Sequence, residues 1–186
     1  MSDAVRNAVF TCILFAASVM AGVALTVGNP DAGQQLLELF REAILGEVIN
    51  SSAPVLAAML FFNNLQACVV MFLGGASFGI LTAFVIVSNG VVIGSIVELV
   101  RQQQGGLYIA AALLPHGIFE IPAFIISGTL GFMLARSLWN EWNLKGDAAA
   151  DASRLGRMFL LYVMPLVFLA AVTEAFITPE IIAFVA

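Results

Sequence analysis

The chain has 186 residues, 61% of them hydrophobic and only 10% charged, with a formal net charge of −5 and a mean hydropathy of +1.03. A water-soluble domain is about half apolar and about a quarter charged, so this composition excludes a soluble enzyme domain and makes lipid the solvent. The acidic balance, with no cluster of Lys and Arg, argues against nucleic acid as a partner.

A helix crossing the hydrocarbon core needs roughly 20 mainly apolar residues, which leaves room for five spans and little else. The first runs over 8–27. It is too long for a signal-peptide core and reads as a retained helix. Asn29-Pro30-Asp31 ends it. Over 31–52, Leu36, Leu37, Phe40, Ile44, Leu45 and Val48 recur at helical spacing, with Glu38, Arg41, Glu42 and Glu47 between them. That pattern predicts an amphipathic helix lying in the membrane interface. Pro54 opens the second span, 54–73. Gly74-Gly75-Ala76-Ser77 is a tight turn, because glycine reaches the conformations a reversal demands. The third span is 78–98, followed by the polar loop Arg101 to Gly106.

The fourth span, 107–135, contains Pro115-His116-Gly117 and Glu120-Ile121-Pro122. Each proline removes a backbone donor, so a kink or a break is expected at Pro115, Gly117 and Pro122. A half-helix starting at His116 would aim its free N–H groups into the bundle. Asn140 to Arg157 reads as a polar loop, and the fifth span, 158–177, stops before Thr178-Pro179. The expected fold is all-α: a polytopic membrane bundle forming one integral domain over 1–186.

Basic residues set the orientation. An inside N-terminus puts Arg6, Arg136, Lys145, Arg154 and Arg157 on the cytoplasmic side of the cell membrane, against Arg41 and Arg101 outside. This is the direction of the positive-inside rule, and the C-terminus then lies outside. The opposite orientation would swap every side. Trp139 and Trp142 fall where an interfacial aromatic belt belongs. Cys12 and Cys68 lie in apolar runs, without CxxC, and read as small core residues. Gly75 with Gly79, and Gly90 with Gly94, have the four-residue spacing that lets helices approach closely.

The informative residues are those a bilayer should reject: His116 and Glu120 in the fourth span, Glu98 in the third and Glu174 in the fifth. Asn63, Asn64, Gln66 and Asn89 add neutral polar groups. At 1.5 Å per residue, His116 is roughly 14 Å and Glu120 roughly 20 Å from the start of their span. These two, with Asn63, Asn64 and Asn89, are expected to meet near the midplane, with Glu98 and Glu174 closer to the outer surface. The bland readings are a His116–Glu120 pair that locks a kinked helix, polar glue between helices for the Asn and Gln side chains, and snorkelling for Glu98 and Glu174. His116, Glu120 and Glu174 could offer one nitrogen and two carboxylates to a metal. One histidine and no HExxH argue against a catalytic site, so neither metal nor cofactor is expected. Without GxSxG, P-loop or Cys–His partners, no enzyme is expected either.

The segment Leu114 to Pro122 (LPHGIFEIP) resembles the signature of the stage II sporulation protein M family. Phe61-Phe62-Asn63-Asn64, Ser88-Asn89-Gly90 and Ala170 to Pro179 (AAVTEAFITP) agree in character. The resemblance implies a five- or six-helix membrane protein that, in spore formers, acts in engulfment by localising a peptidoglycan-degrading complex. It points to His116, Gly117 and Glu120, with Asn64, Asn89 and Glu174 behind them. The leading expectation is therefore a membrane scaffold recruiting a membrane or extracytoplasmic protein. The alternative is a small channel or transporter for an ion, proton or small solute, acting as a homodimer. In either case the lipid bilayer is a partner.

Overall fold

The computed structural model describes residues 2–29, 31, 33–35, 38 and 52–185. Most of the amphipathic segment expected over 31–52 lies outside the described residues. Among the described residues, five helices are long and apolar enough to cross a membrane. They are α1 (Asp3–Gly28), α2 (Ala53–Leu73), α3 (Ile80–Gln104), α4 (Gly106–Trp142) and α5 (Ala148–Val185). The chain is an all-α polytopic membrane bundle.

Local chemistry explains where the helices start and stop. Ser2 caps α1 by accepting from the Val5 N–H. Pro54 sits in the first turn of α2, where its missing N–H costs nothing. The glycine reversal forms as expected: Gly74–Ser77 is one 3-10 turn, and Phe78 (φ 55°) and Gly79 (φ 86°) follow in the left-handed region. Gly79 thus serves the turn rather than helix packing. Ser77 stitches the corner, donating to the Gly74 carbonyl and accepting from the Leu81 N–H.

Three regions differ from the sequence reading. The expected loop from Asn140 to Arg157 is largely helical. α4 continues to Trp142, and α5 starts at Ala148 under an Asp147 cap that accepts from the Ala150 N–H. Ala-rich composition and that cap favour helix over loop. Asp151 then ties the two ends together, accepting from Ser137 at 2.5 Å and pairing with Arg154 at 2.8 Å. Asp3 bridges Arg6 and Arg136 on α1 and α4.

α4 also runs through both prolines as one helix. Pro115, Gly117 and Pro122 therefore do not break it, and no half-helix begins at His116. A proline removes one i→i−4 bond and crowds the carbonyl four residues back. Neighbouring helices can support such a gap inside a membrane. α5 likewise does not stop at Thr178-Pro179 but reaches Val185. A π turn over Thr173–Ile177 precedes Pro179, and the Thr178 hydroxyl donates to the Thr173 carbonyl.

Backbone-close packing holds α1 against α3. A methyl added at Gly94 would sit 2.0 Å from the Val19 carbonyl oxygen, and one at Gly22 would sit 2.1 Å from that of Val91. At Gly90 it would meet Ser18 Cβ at 2.6 Å. The Ser95 hydroxyl donates across this seam to the Gly22 carbonyl. Gly75 and Gly131 make a second close approach, where the turn after α2 meets α4. Ser127 on α4 donates to the Cys68 carbonyl on α2, and Thr82 on α3 to that of Met71. Cys68 is a buried core residue, whereas Cys12 is exposed on α1.

α5 buries a row with strict four-residue spacing: Leu155, Phe159, Val163, Val167, Ala171 and Ala175. In an unbroken α-helix each four-residue step overshoots one turn by about 40°, so five steps would carry the row about 200° around the axis. Two π turns, Phe159–Val163 and Thr173–Ile177, lie within the helix. Each holds one extra residue, an offset of about 100° against the drift; the first lies wholly within the row and the second begins within it, so they reduce the drift and help the row face the bundle.

Candidate functional site

The intramembrane cluster is built from α4 and α5. His116 and Glu120 are one helical turn apart, and their Nε2 and Oε2 atoms are 3.8 Å apart. Glu174, on the second π turn of α5, completes the group. One donor atom from each of the three side chains lies within 4.8 Å of the other two. π turns occur frequently at functional sites, and this one carries the Glu that joins the pair.

Helix geometry explains the meeting. α4 and α5 are joined by the short segment 143–147, so the start of α4 and the end of α5 lie at the same end of the bundle. From Gly106 to His116 is about 15 Å along α4, and from Val185 back to Glu174 is about 17 Å along α5. The two residues are therefore at matching heights. Ending the fifth span at 177 had put Glu174 near a surface. The extension of α5 to Val185 moves it inward, beside His116.

The burial of the site is uneven. His116 is buried at 7% exposure, and its Nδ1 has no hydrogen-bond partner among the described residues. The Glu120 side chain retains 24% exposure. Among the described residues, neither Glu120 nor Glu174 forms an ion pair with Lys or Arg. The stretches 52–100, 102–135 and 158–186 contain no Lys or Arg at all. Two carboxylates thus share one imidazole as their basic neighbour.

The other polar residues make local bonds. Asn63 donates to the Asn64 side chain at 3.5 Å. Asn89 donates to the Val85 carbonyl on its own helix at 2.9 Å. Glu98 is buried but fully engaged near the end of α3: Arg101 reaches both of its oxygens at 2.7 Å, and Gln102 donates at 2.8 Å. Glu98 therefore belongs to a separate ion-pair group. A hollow of about 330 Å³ at the other end of α4 is lined by Asn7, Phe10, Phe78, Phe132, Arg136 and Trp139.

Five apolar helices define a multi-pass membrane protein, and two of them bring His116, Glu120 and Glu174 together. The family model described as "Stage II sporulation protein M" matches residues 11–179, and the chain belongs to that family. It is also similar to an uncharacterized protein of Methanocaldococcus jannaschii, at 30% identity over 126 residues, covering 64% of this chain and 68% of the relative. No solved structure matches the chain.

Proposed function

We propose that this protein carries a small cation or a proton across the membrane, with His116, Glu120 and Glu174 as its binding site. The observation that supports the reading is their convergence from two helices to within 4.8 Å. Ionisable groups in membrane spans are costly, and where they occur together they mark ion pathways or proton relays. A scaffold recruits its partner through outward-facing surfaces and gives this cluster only a structural role. The sequence carries no GxSxG, P-loop or HExxH motif that would favour an enzyme instead. Five helices are few for a monomeric carrier, so the working form in this reading is a homodimer.

The test is flux of protons and of divalent cations into proteoliposomes holding the purified protein. Saturable flux in the wild type, reduced at least about tenfold in Glu120→Gln and His116→Ala, is the expected result; a factor of ten corresponds to about 1.4 kcal/mol of lost interaction. Glu120→Gln keeps the size of the side chain and removes its charge. Folded variants that match the wild type would return the protein to the scaffold reading.

A further inference from the structure

We propose that His116, Glu120 and Glu174 form a binding site for one divalent transition-metal ion, with one imidazole nitrogen and one oxygen from each carboxylate as ligands. This rests on the cation-handling reading above and names the ion class.

Geometry comes first. Around a tetrahedral ion with bonds of about 2.1 Å, neighbouring ligand atoms lie about 3.4 Å apart. His116 Nε2 and Glu120 Oε2 are already 3.8 Å apart, and the whole set lies within 4.8 Å. Side-chain rotation alone can close that gap. Three ligands leave a fourth position open, and the Glu120 side chain is not fully enclosed, at 24% exposure.

Charge selects a dication. Among the described residues the two carboxylates have no Lys or Arg ion partner, and with both ionised they would bring two negative charges into a region where net charge is costly. One dication neutralises them, whereas a monovalent ion leaves one charge over. Donor chemistry then selects among dications. Mg²⁺ and Ca²⁺ take oxygen ligands and make little use of imidazole, whereas Zn²⁺ and its first-row neighbours bind it well. His116 supplies an independent observation: an imidazole at 7% exposure whose Nδ1 lacks any partner among the described residues. A buried polar nitrogen without a bond is destabilising. A metal on Nε2, the nitrogen that faces Glu120, would leave the proton on Nδ1 as a donor to a carbonyl or water acceptor and so relieve that cost.

The experiment uses the full chain, free of any histidine tag, in detergent. Equilibrium dialysis against Zn²⁺, and titration with Co²⁺ read by its visible absorption, should give about one ion per chain. A millimolar excess of Mg²⁺ or Ca²⁺ should not displace it. Glu174→Gln and Glu120→Gln should each weaken binding at least tenfold, and His116→Gln should abolish the Co²⁺ nitrogen-ligand spectrum. Glu98→Gln should leave binding unchanged. Substoichiometric binding, or binding that survives these three substitutions in folded protein, would overturn the proposal. Bound metal without any flux would support the site while removing the transport reading. Proton flux without metal binding would keep that reading and overturn the site.

Discussion

Gly94→Ala lowers the stability of the detergent-solubilised protein by about 3 kcal/mol, the upper end for forcing a methyl into a filled interface. The added Cβ would lie 2.0 Å from the Val19 carbonyl oxygen and 2.9 Å from its carbon. Both belong to the backbone of α1, which no side-chain rotation can move. α1 and α3 must therefore separate, and the Ser95 to Gly22 hydrogen bond across the seam, 3.2 Å long, goes with them. Gly156→Ala is the control: nothing lies within 4 Å of its added methyl, and Ala is the better helix former by about 1 kcal/mol. Thermal unfolding of the two variants should separate them widely, with Gly156→Ala at or above the wild type. Equal midpoints would mean that α1 and α3 do not pack as described.

Glu174→Gln reduces ion flux at least about tenfold in folded protein, the loss expected when one interaction of about 1.4 kcal/mol is removed from a binding site. The substitution retains volume and hydrogen-bonding capacity but removes one of the two negative charges that face His116. Position explains why the effect should be large. Glu174 is the sole contribution of α5 to the cluster, and the π turn of Thr173–Ile177 holds it there. Glu98→Gln should leave flux unchanged, because Glu98 is occupied by Arg101 and Gln102. Proteoliposome flux on both variants, with unfolding midpoints as a check, decides between them. Equal loss in both would show that any buried carboxylate matters and that the cluster has no special role.

How far the sequence reaches differs from element to element. Hydrophobic length and the chemistry of glycine are local, so five helices and the reversal at Gly74–Ser77 could be read directly. The pair Gly90 and Gly94 also told true, since both lie where α3 meets the α1 backbone. Gly79 had the same spacing and a different use, which only its positive φ distinguishes. The pairing of His116 with Glu120 follows from helical periodicity. Glu174 was recognised as an intramembrane carboxylate but placed too near a surface, because Thr178-Pro179 looks like a helix end. A π turn just ahead of a proline carries the helix onward, and no composition signal marks it. The four-residue row from Leu155 to Ala175 is the one trace of the π turns. Almost every neighbouring residue in 158–177 is apolar too, so the row does not stand out from sequence. Asn63, Asn64 and Asn89 sit at plausible depths, but depth does not fix the direction a helix face points.

The central claim is that His116, Glu120 and Glu174 act as one site, and a double-mutant cycle in ion flux tests it most directly. Glu120→Asp and Glu174→Asp shorten each carboxylate while keeping its charge, so each single variant should retain measurable flux. For residues sharing one bound ion, the account predicts strong coupling: the double variant should be little worse than the weaker single variant. Losses that simply multiply would mean that the two carboxylates act independently, and would contradict a shared site.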